Sequence, residues 1–324
     1  MRDEPVSILL ATRNGAPFVR EQIESIRSQN VTDWTLVIRD DESTDGTPEI
    51  LRELARTDSR IVLVSDAHGR LGAAANFSLL AARALAGPPG PVLFADQDDV
   101  WFPAKIERTL AALRSAEAAR PANIPILVHS DLAIIDRKGQ PVHDSFMRFQ
   151  RIRHEGAQAL RTLLVQNFVT GCTVMVNRPL LELAIPVPGE AMMHDWWMAL
   201  CAAACGSIAF IEEPTMAYRR HGENTMTARG FWRTMNPART NWWTLWREGL
   251  RNHGRALAQA HALLARLKAS GRGGSHAAEF VEAFTRMHGQ PTPPKRVSGA
   301  LRLGLRSQTL PRTAVLYARL LCKT

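Results

Sequence analysis

The first half of the chain alternates short runs of β-branched and aliphatic residues with segments of helical periodicity. The segments between the runs are predicted helices, so that the first four strands fall at residues 6–11, 34–39, 61–65 and 92–95. Strands that alternate with helices are typical of βαβ units and of a mainly parallel sheet. We therefore predict an α/β fold, with further strands at 126–129 and 169–176 and helices at 17–28, 48–56, 102–119, 155–166 and 194–205.

Acidic residues follow two of the predicted strands. Asp40 and Asp41 come after the second strand, and Asp96, Asp98 and Asp99 come after the fourth. Ligands of open α/β sheets bind beyond the carboxyl ends of the strands. Carboxylates this close repel one another unless a cation or several donors neutralise them, and oxygen-rich sites suit Mg²⁺ or Mn²⁺. The pattern predicts a metal-diphosphate site. The alternative is a solvated loop in which Asp99 caps the next helix.

Composition predicts a globular protein without a spanning helix. The N-terminus lacks a basic region followed by an apolar one, and no segment offers about 18 uninterrupted apolar residues. The four cysteines have neither the framework of a small secreted domain nor Cys-x-x-Cys spacing, so we expect reduced thiols. We expect a cytoplasmic location.

The positive charge is concentrated at the C-terminal end. From residue 229 onward there are 17 Lys and Arg against 3 Asp and Glu, a balance of +14, whereas the residues before it carry −5. A predicted helix at 240–268 combines an apolar seam from Trp243 to Leu267 with an arginine row at Arg247, Arg251 and Arg255. Tryptophan with arginine suits an anionic membrane surface. The alternatives are packing on the rest of the protein or a homodimer seam. For this helix they are as favoured as lipid contact, whereas for the last 28 residues they are less favoured.

Seven motifs follow one another within residues 5–228. They are Thr12-Arg13-Asn14-Gly15, the 40–47 loop, Gly72 to Asn76-Phe77, Asp96-Gln97-Asp98-Asp99-Val100-Trp101, Gly171-Cys172-Thr173, His194-Asp195-Trp196-Trp197 and Tyr218-Arg219-Arg220-His221-Gly222-Glu223-Asn224-Thr225. Together they resemble family 2 glycosyltransferases of the GT-A fold, especially bacterial rhamnosyltransferase-like members. The resemblance implies a GT-A catalytic domain at 1–228 with a mixed, mainly parallel sheet flanked by helices. Residues 229–324 then form a basic helical extension.

The sequence departs from the usual family pattern at two positions. Arg13 stands where an aromatic residue is common, and Glu42 stands where glycine is common in the Asp-Asp-Gly-Ser loop. Glu42 could alter that turn, because a residue with a Cβ is disfavoured at positive φ.

The resemblance implies a metal site and a catalytic base. Asp98 is the first choice of ligand for Mn²⁺ or Mg²⁺, and His221 completes the shell, the alternative being a structural histidine. Asp195 would accept the proton of the acceptor hydroxyl, since a carboxylate flanked by bulky apolar groups can be desolvated enough to act as a base. A helix N-cap is the alternative for Asp195. The two tryptophans beside it could face a sugar or could simply pack.

The resemblance also implies a set of residues at the nucleotide-sugar donor. Asp40 would contact the nucleobase with Thr12 nearby, although Asp41 could be the base contact instead. Asp96 would reach the ribose or assist at the metal. Arg219 and Arg220 could meet phosphate oxygens or be solvated. The donor set is therefore Thr12, Asn14, Asp40, Asp41, Asn76 and Asp96.

These assignments imply an inverting, metal-dependent glycosyltransferase. It would move a sugar, most specifically rhamnose from a dTDP donor, to a lipid-linked or surface polysaccharide acceptor at the inner face of a membrane, as a peripheral protein. A sugar-phosphate nucleotidyltransferase would need a Gly-rich basic loop after strand one, which residues 11–15 do not supply. A non-catalytic nucleotide-sugar-binding subunit is the other alternative. A nucleic-acid partner is excluded because no recognised motif is present and the acidic sheet edge would repel phosphates.

Overall fold

The computed structural model describes residues 4–221 and 242–322. Its first part is a succession of strands and helices: β1 (Val6–Thr12), α1 (Val19–Arg27), β2 (Trp34–Asp40), α2 (Thr47–Thr57), β3 (Ile61–Leu63), α3 (Ala73–Ala86) and β4 (Val92–Ala95). These bounds follow the predicted strands and helices closely, because the apolar periodicity that predicts each element is also the face that it buries.

The next part adds shorter elements around the same sheet. In chain order they are β5 (Val100–Trp101), α4 (Lys105–Ala118), β6 (Ile126–Ser130), β7 (Ala133–Ile135), β8 (Pro141–His143), α5 (Phe146–Gln150), α6 (Ala159–Leu163), a 3₁₀ turn (Gly171–Thr173), β9 (Met175–Val176), α7 (Arg178–Ala184), α8 (His194–Cys205), β10 (Ser207–Ile211) and β11 (Met216–Arg219).

The central sheet has seven strands in the order β10-β6-β9-β4-β1-β2-β3, and only β9 pairs antiparallel to its neighbours. In the parallel register Thr12 lies opposite Asp40, and Leu10 lies opposite Ala95. The acids that follow β2 and β4 therefore come to one edge. A second sheet, in the order β5-β11-β7-β8, lies after β4 in the chain. The predicted mixed, mainly parallel α/β fold is confirmed.

Two predicted elements differ from the structure. The strand expected at 169–176 is a 3₁₀ turn followed by the two-residue β9. The turn forms because Thr173 donates its amide and its hydroxyl to the carbonyl of Thr170, at 2.9 and 2.7 Å. The helix expected at 155–166 is reduced to α6, Ala159–Leu163.

The sheet separates two apolar clusters. Ile8 and Leu10 of β1 face one cluster, with residues of α1, α2 and α4, whereas Leu9 faces the other, with residues of α3, α7 and α8. This alternation along one strand is the period-2 pattern of a sheet covered on both faces. The burial on both sides fixes the register, and with it the positions of the acids at the carboxyl edge.

The C-terminal extension continues the second apolar cluster. Its helices are α9 (Trp242–Ala269), α10 (His276–His288), α11 (Pro293–Arg302) and α12 (Leu310–Leu320). Ala260, Leu263 and Leu267 of α9 are fully buried in the cluster that contains Trp197 of α8. The seam of α9 thus packs on the part of the chain that contains α8, whereas Trp243 at its start is 74% exposed. The predicted domain boundary at 228 lies outside the described residues.

The final helices pack back as well. Leu316 and Leu320 of α12 join the same cluster, and the buried Arg296 donates to the carbonyls of Leu320 and Cys322 at 2.8 and 3.0 Å. These contacts favour the packing alternative, which the sequence made the weaker one for this segment. Exposed apolar side chains remain at Leu301, Leu310 and Leu321. Among the described residues, no helix is both long and apolar enough to cross a membrane.

Two glycine substitutions, one at a crowded position and one at an open position, test the backbone packing of the fold. A Cβ on Gly206, between α8 and β10, would lie 1.8 Å from the carbonyl oxygen of Pro125, whereas a Cβ on Gly254, inside α9, would meet no neighbouring atom. Gly206→Ala should lower the free energy of unfolding by about 2 kcal/mol or more, because the backbone itself must move. Gly254→Ala should raise it by about 0.5–1 kcal/mol through helix propensity. Urea unfolding midpoints measure both, and equal midpoints would contradict the packing described.

Candidate active site

Asp40 ends β2 and is held by hydroxyl and amide donors. Thr12 donates its hydroxyl to Asp40 Oδ1 at 2.8 Å. Ser43 donates its hydroxyl to the same oxygen at 2.6 Å and its amide to Oδ2 at 2.8 Å. The Asp40 side chain is fixed in this way at the rim of a cavity of about 230 Å³, which is lined by Arg39, Asp40, Glu42, Val64, Ser65, Asp66 and Gly69.

Asp41, the other residue predicted to contact the base, points inward. Its carboxylate is 2% exposed and accepts the amides of Leu71 and Gly72, at 2.7 and 2.8 Å, and the guanidinium of Arg39 at 2.9 Å. Burial alone would raise the pKa of Asp41, but these three donors together hold it below its usual value. Asp41 does not line the cavity beside Asp40. The structure therefore separates two adjacent acids that sequence left interchangeable.

Asn14 and Asn76 hold neighbouring loops. Asn14 has φ of 48°, its amide donates to Ser43 Oγ, and its side-chain oxygen accepts the Thr44 amide, both at 2.8 Å. Asn76 is buried and donates to the carbonyl of Arg39 at 3.3 Å. Its Oδ1 has no hydrogen-bond partner within the described residues. Asn14 and Asn76, which were both predicted to bind the nucleotide-sugar donor, thus stabilise the loops that surround the cavity.

Glu42 keeps the left-handed backbone that glycine commonly provides at this position, with φ of 59°. Its carboxylate is directed to the opposite wall of the cavity, where a Cβ on Gly69 would lie 3.4 Å from Glu42 Oε1. The substitution noted in the sequence therefore leaves the turn in the positive-φ conformation. It adds a negative group to the cavity lining.

Asp98 and His221 meet at the carboxyl edge of β4. Asp98 Oδ2 and His221 Nε2 are 2.6 Å apart, although the two residues are 123 positions apart in sequence. The His221 ring also packs on Phe18, with 4.9 Å between ring centroids. The structure thus brings together the two residues predicted to bind metal. The rest of that motif, residues 222–225, lies outside the described residues.

The other two acids of this loop lie at different depths, since Asp96 is half-buried. Asp99 is fully buried and accepts the amide of Arg219 at 3.1 Å, so it does not cap α4, whose N-cap is Ala104. Burial raises the pKa of Asp99 well above its usual value. Burial, with the charges of Asp98 and Asp195, raises the pKa of Asp96 to about 7.

Cys172 brings a second group of possible ligands to the same loop. One ligand atom each from Asp96, Asp99 and Cys172 lie within 4.8 Å of one another. The sequence indicated only a buried thiol at Cys172, because nothing in residues 96–99 specifies which loop covers them. The site therefore contains two groups that could hold a cation, with Asp98 and His221 forming the other.

Lys105 is a buried cation that the sequence analysis missed. Its ammonium donates to the carbonyl of Cys172 at 3.0 Å and to Thr215 Oγ1 at 3.3 Å, and it lies 4.8 Å from the centre of the Trp101 ring. Burial lowers the pKa of Lys105 to about 8. A lysine in the first turn of an amphipathic helix has the sequence pattern of a solvated residue, so only the adjacent acid-rich loop, residues 96–99, could have drawn attention to it.

Arg219 is also buried, in contrast to the predicted alternatives of phosphate contact or solvation. It is 2% exposed, donates to the carbonyl of Asp98 at 3.0 Å, and pairs with Glu21 at 2.7 Å. Arg219 therefore fastens the acid-rich loop to α1 and β11. These contacts make Arg219 a structural support of the site.

Asp195 lies in the first turn of α8, whose N-cap is Met193, so the N-cap alternative does not apply. Its Oδ1 accepts the amide of Trp196 at 2.7 Å, and its Oδ2 lies 3.5 Å from Asn167 Nδ2. Burial raises the pKa of Asp195 to about 6. A carboxylate in such a position can accept a proton near neutral pH.

The tryptophans beside Asp195 are engaged in packing. The indoles of Trp196 and Trp197 donate to the carbonyls of Leu163 and Ala184, both at 2.7 Å, and Trp197 is fully buried. Of the two interpretations, the structure supports packing for Trp197. Trp196 is half-buried, so part of its ring is accessible from solvent.

The chain matches the family described as Glycosyl transferase family 2 over residues 7–182. This protein is a member of glycosyltransferase family 2. It is 26% identical over 231 residues to the dTDP-rhamnosyl transferase RfbG of Shigella flexneri, which covers 68% of this chain and 74% of that protein. It is 25% identical over 223 residues to an uncharacterised glycosyltransferase of Nostoc, covering 68% of this chain and 66% of the relative's length.

Solved structures share the fold. S. aureus TarS 1-349 in complex with UDP-GlcNAc has a TM-score of 0.52 at 16% identity, with 92% of this chain and 80% of that chain covered. A mannosyltransferase from Pyrobaculum calidifontis in complex with GDP-Man and Mn²⁺ has a TM-score of 0.51 at 17% identity, covering 98% and 80%. The predicted GT-A fold of the family 2 glycosyltransferases is confirmed.

Replacing Lys105 tests whether it supports the 171–173 turn, which lies against Asp96 and Asp99. Lys105→Met keeps the volume but leaves the Cys172 carbonyl without this donor, so the free energy of unfolding should fall by about 2 kcal/mol or more. The matched control is Lys138→Met, because Lys138 is exposed and should change stability by less than about 0.5 kcal/mol. Urea unfolding at neutral pH compares them. Equal small losses would show that the buried ammonium has no supporting role.

Proposed function

We propose that this family 2 glycosyltransferase is an inverting, metal-dependent enzyme that uses a nucleoside-diphosphate sugar. The observation that carries the proposal is the contact of Asp98 with His221 at a sheet edge that also holds Asp96 and the buried Asp195. Such an arrangement supplies a cation site and a separate base, both of them near Asp96. These are the two groups that direct displacement at an anomeric carbon requires.

The residues at this edge fit a divalent cation. Asp98 and His221 would hold it, because carboxylate and imidazole are ligands that Mn²⁺ accepts, and carboxylate suits Mg²⁺. Burial raises the pKa of Asp96 to about 7, and the neighbouring charges of Asp98 and Asp195 add to the shift, so a cation at this edge would relieve their mutual repulsion. When bound, the cation would stabilise negative charge on the departing nucleoside diphosphate. The Mn²⁺ of the Pyrobaculum calidifontis mannosyltransferase complex supports this choice.

The cavity beside Asp40 would receive the nucleobase. Asp40 lies at its rim with both oxygens oriented by Thr12 and Ser43, while Asn14 and Asn76 fix the surrounding loops. We propose dTDP-rhamnose as the donor, supported by the similarity to RfbG. The neighbours of known structure carry UDP-GlcNAc and GDP-Man, so the fold itself accepts several donors.

Asp195 would act as the general base. Its buried carboxylate is ionised above a pKa of about 6, and Oδ1 is oriented by the Trp196 amide. Deprotonation of an acceptor hydroxyl by Asp195 lets that oxygen attack the anomeric carbon from the face opposite the leaving group, which inverts the configuration.

The acceptor would be a lipid-linked or surface polysaccharide at the inner face of a membrane. Support comes from the basic extension, whose exposed residues include Trp243 and the arginine row Arg247, Arg251 and Arg255. An anionic lipid surface attracts such a combination electrostatically and through the interfacial preference of tryptophan.

Asp195→Asn separates an enzyme from a non-catalytic binding subunit. Sugar transfer should fall to background while the affinity for the donor is retained, because the base acts only in the chemical step. A raised folded-state pKa means that ionised Asp195 destabilises the fold at pH 7, so the substitution should also raise the free energy of unfolding by roughly 2 kcal/mol. Transfer assays, donor titration and urea unfolding measure these effects. The control is Asp144→Asn at an exposed acid; retained transfer in Asp195→Asn would remove the base assignment.

The pH dependence gives an independent check on the same residue. The pKa of Asp195 is raised by burial to about 6, so kcat/KM should decline as pH falls through that value and the base becomes protonated. Stability has the opposite dependence. The contribution of protonated Asp195 is present below its unfolded pKa and is lost as pH rises to about 6. A rate that is flat down to pH 4 would assign the base to another group.

A further inference from the structure

A second cavity lies in the C-terminal extension, between α10 and α11. Its volume is about 510 Å³, and its lining includes Arg286, Met287, Lys295, Gly299, Arg302 and Leu303. It shares no lining residue with the cavity beside Asp40. The size is that of a site for a small organic ligand or a lipid headgroup.

Three cations surround this cavity. Arg286 pairs with Glu282 at 3.3 Å, and both side chains are exposed. Lys295 and Arg302 have no hydrogen bond or ion pair with any residue in the described ranges. The first turn of α11 contains no acid that could neutralise Lys295. The excess positive charge favours an anionic ligand with more than one negatively charged oxygen.

The floor of the cavity is apolar because two helices approach closely there. A Cβ on Gly299 of α11 would lie 2.4 Å from Cγ of Met287 on α10, so the absence of a side chain at Gly299 permits the contact. Met287 is 4% exposed, and Leu303 is partly buried beside it. An apolar floor beneath cations suits a ligand that joins a phosphate to hydrocarbon rather than a free inorganic anion.

The surface next to the cavity continues the same chemistry. Leu301, the neighbour of Arg302 in sequence, is 63% exposed on α11. Exposed leucine beside basic residues matches the boundary between the headgroups and acyl chains of an anionic bilayer. Charge complementarity and the apolar floor thus favour the same type of ligand, one that joins an anionic group to hydrocarbon.

We propose that the cavity between α10 and α11 binds the phosphate headgroup of an anionic phospholipid at the membrane surface. The inference rests on the proposed membrane location of the enzyme and names the site that would provide it. Lys295, Arg302 and Arg286 contact the phosphate oxygens. The glycerol and upper acyl chain of the lipid lie on Met287 and Leu303.

Flotation of the full-length protein with vesicles tests the site. The vesicles are phosphatidylcholine, alone or with about one third phosphatidylglycerol, since anionic lipid supplies the attraction. The Lys295→Gln/Arg302→Gln variant should lose at least tenfold in affinity for the anionic vesicles. The matched control, Arg56→Gln/Arg83→Gln, removes the same charge from exposed positions on α2 and α3 and should lose threefold or less. Equal losses would show diffuse electrostatic attraction and would overturn a defined site.

Two further measurements separate charge from shape and lipid from free phosphate. Ala283→Phe fills the cavity without changing the charge, and it should also weaken vesicle binding at least fivefold while the unfolding midpoint remains that of the parent protein. Inorganic diphosphate should compete poorly; displacement of vesicles by equimolar diphosphate would assign the site to a soluble anion and contradict the proposal. Vesicle binding requires no turnover, so a failure of the proposed transfer reaction would leave these results unaffected. Likewise, a failure of vesicle binding would leave the proposed transfer reaction unaffected.

Discussion

Repulsion between carboxylates at one edge of the sheet is the constraint on which the arrangement of this protein depends. Parallel pairing of β1 with β2 and β4 brings the acids after these strands together. The fold neutralises the deepest ones itself: Asp41 is held by Arg39 and two amides, and Asp99 lies buried with a pKa well above its usual value near the Lys105 ammonium. Asp98 lies at the edge in contact with His221, where a cation would neutralise its charge.

The buried cations have a different role from the ligands. Lys105 ties the 171–173 turn to the strand that contains Met216 and to the neighbouring Thr215, and Arg219 ties the loop of Asp98 to α1 through Glu21. Neither cation needs to contact a substrate to matter. Arg219 holds the loop of Asp98 in place, and Lys105 holds the turn that lies against Asp96 and Asp99.

Much of the fold could be predicted, because apolar periodicity fixes both the element and its buried face. The Asp98–His221 contact was also predictable, but only from motif resemblance, since nothing local links residues 123 positions apart. Lys105 could not be found, because its sequence pattern is that of a solvated helix residue. The packing of α12 is hard to predict for a similar reason: a basic amphipathic helix has one pattern, whether its apolar face meets lipid or, as at Leu316 and Leu320, the protein core.

The most direct test of a cation site at Asp98 and His221 is anomalous diffraction from crystals grown with Mn²⁺ and a nucleoside diphosphate. We expect one strong manganese peak about 2.1–2.3 Å from an Asp98 carboxylate oxygen and from His221 Nε2, with the diphosphate on the same ion. A peak held instead by Asp96, Asp99 and Cys172 would move the metal centre to the other group. Ordered nucleotide without manganese at either group would contradict a metal-dependent transfer.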